Sequence, residues 1–266
     1  MMNKVLCCLI VIFFFTSTIC AQVERDTLVD FSTLYSENDA VGCAVIYDLQ
    51  NDKYIRYNPV DCNKGYLPAS TFKIPNTLIL LETKTAENIN HTLKWDGKER
   101  GIKSWNKDHT LETAFKNSAV WYYEEMTHRV GLKKEKEFLE LMDYGNTEIS
   151  GDFPFWLDGN LRISANQQVD FLKKFYSNEL PFKDEYIANV KEFMILEKDS
   201  SYTLRGKTGW ARPDNIEVGW LVGYIESAKG VFIYAVNVRA ERGNKKFSKA
   251  RKEIALSILN ELGLFQ

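Results

Sequence analysis

"PASTFKIPN", residues 68–76, places a serine and a lysine three positions apart in a stretch that is otherwise mostly small or apolar. No carboxylate occurs between Gly65 and Leu81, although a buried ammonium group is costly unless it is paired. If a helix begins near Ser70, the side chains of Ser70 and Lys73 share one face. Burial would lower the pKa of Lys73 and produce a neutral amine that can take the proton of a serine nucleophile. A helix-capping serine followed by a solvated lysine has the same spacing, so this motif is weak alone.

A second motif, "KTGW" at residues 207–210, lies in a run of strand character. Lys207 supplies a cation, Thr208 a hydroxyl, and Gly209 lets a ligand approach the backbone closely. A simple turn would also explain these residues. However, Ser-x-x-Lys and Lys-Thr-Gly occur together in penicillin-recognising serine enzymes. The pair of motifs therefore favours acyl transfer at a serine.

Length and composition set the broad class of the protein. The 266 residues suit one large domain or two intimate ones, and 45% hydrophobic with 26% charged residues is typical of a globular chain. The formal charge of −2 argues against a general nucleic-acid partner. His91, His109 and His128 are scattered without ligand spacing, so no metal site is expected.

The first 21 residues form a separate segment. One positive charge, the apolar run "VLCCLIVIFFF" and the small polar "TSTICAQ" have the order of a secretory signal peptide cleaved after Ala21. An uncleaved anchor and lipidation at Cys20 are alternatives, the second disfavoured by the bulky Ile19 before it. Residues 22–266 would form the mature protein, which we expect to be exported.

Two cysteines remain after residue 21. Residues 41–60 read as an antiparallel hairpin that turns near Asn51-Asp52, which would bring Cys43 and Cys62 close together. An oxidising compartment would permit a disulfide. Two buried free thiols fit the sequence equally well.

The remaining pattern predicts an α/β chain of the α+β type. Strand-like runs occur near both ends, at 41–60 and 196–241, and helical signals fill the region between them. We expect a sheet subdomain from about 22–75 and 196–266, in which terminal helices flank an antiparallel sheet, and a helical subdomain inserted at about 76–195. Within the helical region, Ser164 and Gln167 form a capping-box pattern, and Gly131 ends the helix that begins at Val120. We interpret "KKEKE", residues 133–137, as a solvated helix face.

Three further motifs lie between the first two. They are "SAVW" at 118–121, "YGN" at 144–146 and "WLDG" at 156–159. With "PASTFKIPN" and "KTG" they occur in the order found in class D (oxacillinase-type) serine β-lactamases, and the sequence resembles that family. The resemblance implies the fold of penicillin-recognising serine enzymes.

The resemblance also implies a mechanism. Lys73 would be N-carboxylated by carbon dioxide, and its carbamate would act as general base for Ser70 and later for the hydrolytic water. Trp156 would donate its indole N–H to the carbamate, and Val120 and Phe72 would keep the pocket dry. No other cofactor is implied.

The same resemblance implies roles for the remaining motif residues. Ser118 would relay a proton to the departing lactam nitrogen, held by Lys207, and the backbone N–H groups of Ser70 and Trp210 would form the oxyanion hole. Substrate binding would fall to Thr208, Gly209 and Arg251. Arg251 is assigned only by its place near the start of the last helix, where an ordinary surface arginine is the alternative.

The implied partners are β-lactam small molecules, with no nucleic acid and no integral membrane contact, in a periplasmic protein that is compatible with a homodimer. A penicillin-binding sensor domain, which acylates without turnover, is the main alternative. A cell-wall transpeptidase is disfavoured because Val120 stands where such enzymes have an asparagine.

Overall fold

The computed structural model describes residues 26–150 and 153–266. The predicted signal peptide, residues 1–21, lies outside these ranges. Nine strands occur in the described ranges: β1 (Asp26–Leu28), β2 (Val41–Asp48), β3 (Lys53–Tyr57), β4 (Thr92–Leu93), β5 (His109–Thr110), β6 (Ile195–Lys198), β7 (Tyr202–Ala211), β8 (Ile216–Ser227) and β9 (Gly230–Glu241).

Most helices lie between β3 and β6 in the chain, as the sequence predicted. The α-helices are α1 (Ser32–Ser36), α2 (Lys73–Glu82), α3 (Leu111–Lys116), α4 (Val120–Val130), α5 (Leu132–Met142), α6 (Phe155–Asp158), α7 (Ala165–Tyr176), α8 (Asp184–Phe193) and α9 (Phe247–Glu261). Short 3-10 helices occur at Asp61–Asn63, Ala69–Phe72 and Lys103–Trp105. No helix in the described ranges is long and apolar enough to cross a membrane.

Seven strands form one sheet in the order β1-β3-β2-β9-β8-β7-β6. Strands from both ends of the chain meet where β2 pairs with β9, which confirms the prediction of a shared sheet. All its pairs are antiparallel except β1 with β3, which run parallel. The sheet is therefore mixed at one edge, which corrects the expectation of a purely antiparallel sheet. The parallel pair was not predicted because the short β1 has no recognisable strand pattern.

Both faces of the sheet are buried. Along β2, Ala44 and Ile46 join the core under α1 and α9, whereas Val45 and Tyr47 join the core under the helical region. This follows from the alternation of side chains along a strand. The terminal helix α9 packs on one face of the sheet through Ile254 and other apolar residues.

The local end signals of the helices are confirmed. Ser164 accepts from the Gln167 N–H while Gln167 accepts from the Ser164 N–H, a complete capping box. Gly131 ends α4 with a φ of 84°, where a residue with a side chain would be strained. The helix predicted to start near Ser70 instead begins as a 3-10 turn, and α-helical bonding starts at Lys73.

Two sequence interpretations are decided by burial. Cys43 and Cys62 are both buried free thiols, and Cys62 lies in the 3-10 helix after β3 rather than within the hairpin strand. The reading of residues 133–137 as a solvated face is wrong for Glu135, which is fully buried. The reason is its helical spacing from Phe138 and Leu139, which places it in the buried stripe of α5.

Candidate active site

Ser70 and Lys73 lie one turn apart at the start of α2. The 3-10 helix Ala69–Phe72 precedes it, and Ala69 adopts a φ of 51°, a left-handed conformation that is uncommon for a residue with a side chain. Lys73 Nζ donates to Ser70 Oγ at 3.2 Å. Because Ser70 is 8% exposed and Lys73 only 1%, the hydroxyl lies between solvent and the buried amine.

Aromatic rings surround the amine of Lys73. Its Nζ lies 4.9 Å from the ring centroid of Tyr123 and 6.0 Å from that of Trp156. Phe72 stacks on Trp156 with ring centroids 5.5 Å apart. Burial, and secondarily the charge of Lys207, lower the pKa of Lys73 well below its ordinary value. No carboxylate in the described chain pairs with this lysine, so the neutral amine is favoured.

The indole N–H of Trp156 has no partner among the described residues. Trp156 lies in the short helix α6 and is fully buried, and its Nε1 makes no hydrogen bond within the described ranges. A buried donor without an acceptor is costly. The Trp156 ring lies beside the amine of Lys73, to which a group with an acceptor oxygen could be attached.

The second serine is held by the second lysine. Lys207 Nζ donates to Ser118 Oγ and also to the Thr208 carbonyl at 3.3 Å. Ser118, just before α4, has a φ of 53°. Burial, then the charge of Arg251, lower the pKa of Lys207 to about 7. The structure thus brings Ser118 and Lys207 together as the sequence predicted.

The edge of β7 contacts the 3-10 turn that carries Ser70. Its partner β6 pairs only with residues 203–205, so the segment 207–211 has no strand on that side. A Cβ built on Gly209 would lie 3.0 Å from the Pro68 carbonyl oxygen and 3.2 Å from Thr71 Cγ2. Glycine is therefore what allows this edge to approach the turn that carries Ser70.

Arg251 is partly buried rather than an ordinary surface residue. Gly219 on β8 leaves room for it, since a Cβ there would lie 2.8 Å from Arg251 Cβ. Its guanidinium lies 5.2 Å from the Trp210 ring centroid, and its Nε has no hydrogen-bond partner in the part of the chain that the structure describes. No salt bridge in the described ranges involves it. Burial lowers the pKa of Arg251, and this cation has no anionic partner among the described residues.

Sequence reasoning missed several supporting residues. Tyr123 covers the Lys73 amine, and its hydroxyl shares a 2.7 Å hydrogen bond with Thr77, which donates to the Lys73 carbonyl. Three positions separate Val120 from Tyr123, so the helical spacing after "SAV" was the available signal. Val120 itself is the partly buried first residue of α4.

The other motif residues are structural. Tyr144 is buried against Phe72 with ring centroids 5.8 Å apart. Asn146 braces its loop by donating to the Asn160 carbonyl and accepting from the Arg162 N–H, both at 2.9 Å. In the described ranges, no group of three potential ligands could hold a metal ion.

Comparison with known proteins places these features in a family. The model of the penicillin binding protein transpeptidase domain matches residues 42–260. The probable β-lactamase YbxI of Bacillus subtilis is 39% identical over 85% of this chain and 82% of its own length. β-Lactamase OXA-48 of Klebsiella pneumoniae is 38% identical over 77% of each chain.

A regulatory protein and a solved structure extend the comparison. BlaR1 of Bacillus licheniformis is 35% identical over 89% of this chain, which spans only 39% of that protein's length. A class D β-lactamase structure from Sebaldella termitidis aligns with a TM-score of 0.86 and 37% identity over 90% of this chain and 98% of its own. With these relatives and the geometry of the site, the chain belongs to the class D β-lactamase family.

Proposed function

We propose that this protein is a serine β-lactamase that hydrolyses the lactam amide of penicillin-type antibiotics and so protects its host from them. The observation that carries the proposal is the buried Lys73 amine, 3.2 Å from the hydroxyl of Ser70. Ser70 Oγ attacks the lactam carbonyl carbon, the C–N bond breaks, and an acyl ester forms on the serine. Water then hydrolyses that ester and regenerates the hydroxyl.

Lys73 serves as the base in carboxylated form. Only a neutral amine adds carbon dioxide, and burial favours the neutral form of this lysine. The carbamate would be an anion beside the unpartnered N–H of Trp156, which gives that buried donor an acceptor. The carbamate takes the proton of Ser70 during acylation and that of water during deacylation.

Ser118 and Lys207 deliver the proton that the leaving nitrogen needs. The hydrogen bond between them fixes the Ser118 hydroxyl, and the pKa of about 7 lets Lys207 exchange protons near neutrality. The backbone N–H groups of Ser70 and Trp210 stabilise the oxyanion. The close approach of the two backbone segments at Gly209 supports that assignment.

Substrate recognition uses the free cation of the site. β-Lactams carry a carboxylate, and Arg251 is a half-buried guanidinium without a counterion in the described ranges. Thr208 offers a hydroxyl on the same strand as Gly209, at the edge without a β6 partner. A charge-assisted bond to Arg251 would orient the carboxylate.

Export to the periplasm is part of the proposal. It rests on the signal-peptide pattern of residues 1–21. The homodimer stays a prediction. A sensor that acylates without turnover is the second candidate, favoured by the similarity to BlaR1 and to the C-terminal domain of the BlaR penicillin-receptor, with a TM-score of 0.84.

The deciding experiment measures penicillin hydrolysis by residues 22–266, with and without bicarbonate, followed by intact mass. Many turnovers stimulated by bicarbonate are expected, and Ser70→Ala should form no covalent adduct. One stable adduct per chain without further turnover would instead identify a sensor. Full activity after removal of carbon dioxide at low pH would contradict the carbamate.

A further inference from the structure

A buried carboxylate behind the proposed substrate site joins three segments of chain. Glu217, near the start of β8, is 4% exposed. Its Oε2 accepts from Trp210 Nε1 at 2.6 Å and from Arg212 Nε at 3.1 Å, and its Oε1 accepts from the Gly243 N–H at 3.4 Å. It therefore ties the end of β7 and the turn after it to the loop that leads into α9.

The charge of this carboxylate is maintained by those contacts. Burial acts to raise the pKa of Glu217, but the hydrogen bonds from Trp210, Gly243 and Arg212 outweigh it and lower the pKa below its ordinary value. Hydrogen bonds to a charged acceptor are about twice as strong as neutral ones. Glu217 is thus a fixed anion at neutral pH.

The indole held by Glu217 is one of the surfaces on which Arg251 rests. Trp210 pairs with Gly219, so its side chain lies on the α9 face of the sheet, where Phe247 packs at a centroid distance of 5.8 Å. The guanidinium groups of Arg251 and Arg212 lie 5.2 Å and 4.4 Å from the indole centroid. Arg251 Nε donates to none of the described residues, so the cation–π contact with the Trp210 ring is what orients this side chain.

We propose that Glu217 is a positioning residue that holds the Trp210 indole against Arg251 and thereby aims the guanidinium at the substrate carboxylate. The inference rests on the proposed function, to which it adds a residue that touches no reacting atom. The Trp210 backbone is fixed separately by its pairing with β8. Loss of Glu217 should therefore weaken recognition of the carboxylate more than it slows acylation.

The test measures the Kd of an intact penicillin for the Ser70→Ala variant, which lacks the nucleophile and therefore binds the antibiotic without reacting with it. Glu217→Gln should raise the Kd about five- to tenfold, because the neutral amide offers one acceptor oxygen to three donors and carries no charge. The methyl ester of the same penicillin lacks the carboxylate, so Glu217→Gln should leave the Kd of the ester unchanged. Trp210→Phe keeps an aromatic ring but loses the N–H donor, and it should reproduce the effect of Glu217→Gln.

Two further variants separate positioning from general damage. Glu226→Gln removes a carboxylate from an arginine pair with Arg205 at the other end of β7 and β8, and it should leave both Kd values unchanged. In an Arg251→Ala background, Glu217→Gln should have no additional effect. An equal effect of Glu217→Gln on acid and ester, or a full additional effect without Arg251, would overturn the inference. A parent protein that binds neither compound would overturn the proposed function itself.

Discussion

Two buried lysines belong to the candidate site, and their surroundings differ. Lys73 lies among aromatic rings, and its amine has one hydrogen-bond partner in the described chain, the Ser70 hydroxyl. Lys207 donates to two oxygens, those of Ser118 and of its own strand. Burial lowers the pKa of both, well below the ordinary value for Lys73 and to about 7 for Lys207.

The difference shows how one residue type can serve two purposes. An amine buried without a carboxylate partner among the described residues favours the neutral form, which is free to react with an electrophile such as carbon dioxide. An amine held by two oxygens keeps enough proton affinity to pass protons near pH 7. Burial is the main cause of the lowered pKa at both lysines, and the two sites differ in the hydrogen-bond partners of their amines.

The largest expected effect on turnover comes from removing the amine of Lys73. Lys73→Met should reduce turnover about 1,000-fold or more because the general base is lost. It should also raise the free energy of unfolding by about 1–3 kcal/mol, since a buried polar group without a charged partner is replaced by an apolar one. Steady-state kinetics and urea unfolding check the two effects.

Lys207→Met is the matched comparison. It should also reduce turnover, but its stability gain should be smaller because Ser118 Oγ loses its donor. Equal stability changes in the two variants would contradict the distinction drawn between the lysines.

The second effect tests the unpartnered indole. Trp156→Phe keeps a ring in the aromatic cluster but removes the N–H, so the carbamate on Lys73 should be less stable. We expect turnover at ambient carbon dioxide to fall about 10- to 100-fold. Added bicarbonate should restore much of it, as measured by penicillin hydrolysis.

Trp220→Phe is the control for this variant. Its indole is also fully buried but already donates to the Leu67 carbonyl at 2.9 Å. Activity losses in this variant should not respond to bicarbonate. A Trp156→Phe enzyme that bicarbonate does not rescue would argue against the carbamate contact.

The third effect concerns pH and stability. The pKa of Lys207 falls from 10.5 to about 7 on folding. Between these values the unfolded chain binds a proton that the folded protein does not, so the free energy of unfolding rises with pH in this window. Below pH 7 the folded protein also carries the proton, and the destabilisation caused by burying the charged amine is fully present. Between pH 6 and pH 10 the free energy of unfolding should increase less in Lys207→Met than in the unaltered protein, by about 1 kcal/mol or more.

Much of this site could be predicted because its chemistry lies in short motifs. Ser70 with Lys73 and Lys207 with Thr208 and Gly209 are local patterns, and the capping box at Ser164 is likewise local. The antiparallel sheet followed from strand runs near both ends. These features depend on neighbours in sequence, which a single chain displays directly.

The features that escaped prediction depend on distant contacts. Tyr123 covers Lys73 only because α4 packs on α2, and Glu217 reaches Gly243 just beyond the end of the neighbouring strand β9. The parallel pairing of β1 had no local signal, since three exposed residues carry no alternation. The two cysteines could not be decided because the register of the hairpin did not include Cys62.

The smallest expected effect on activity comes from a buried group that the mechanism does not use. Glu135 is fully buried, neither carboxylate oxygen has a partner in the described chain, and burial raises its pKa well above 4.5. Above pH 4.5 the unfolded chain releases a proton that the folded protein retains, so this residue lowers stability as pH rises. Glu135→Leu should raise the free energy of unfolding at pH 7 by about 1–3 kcal/mol and leave penicillin turnover within about twofold. Glu140→Leu, on the exposed side of the same helix, should change stability by less than about 0.5 kcal/mol. Lost activity in Glu135→Leu would mean that this buried group, like Lys73, is retained for chemistry.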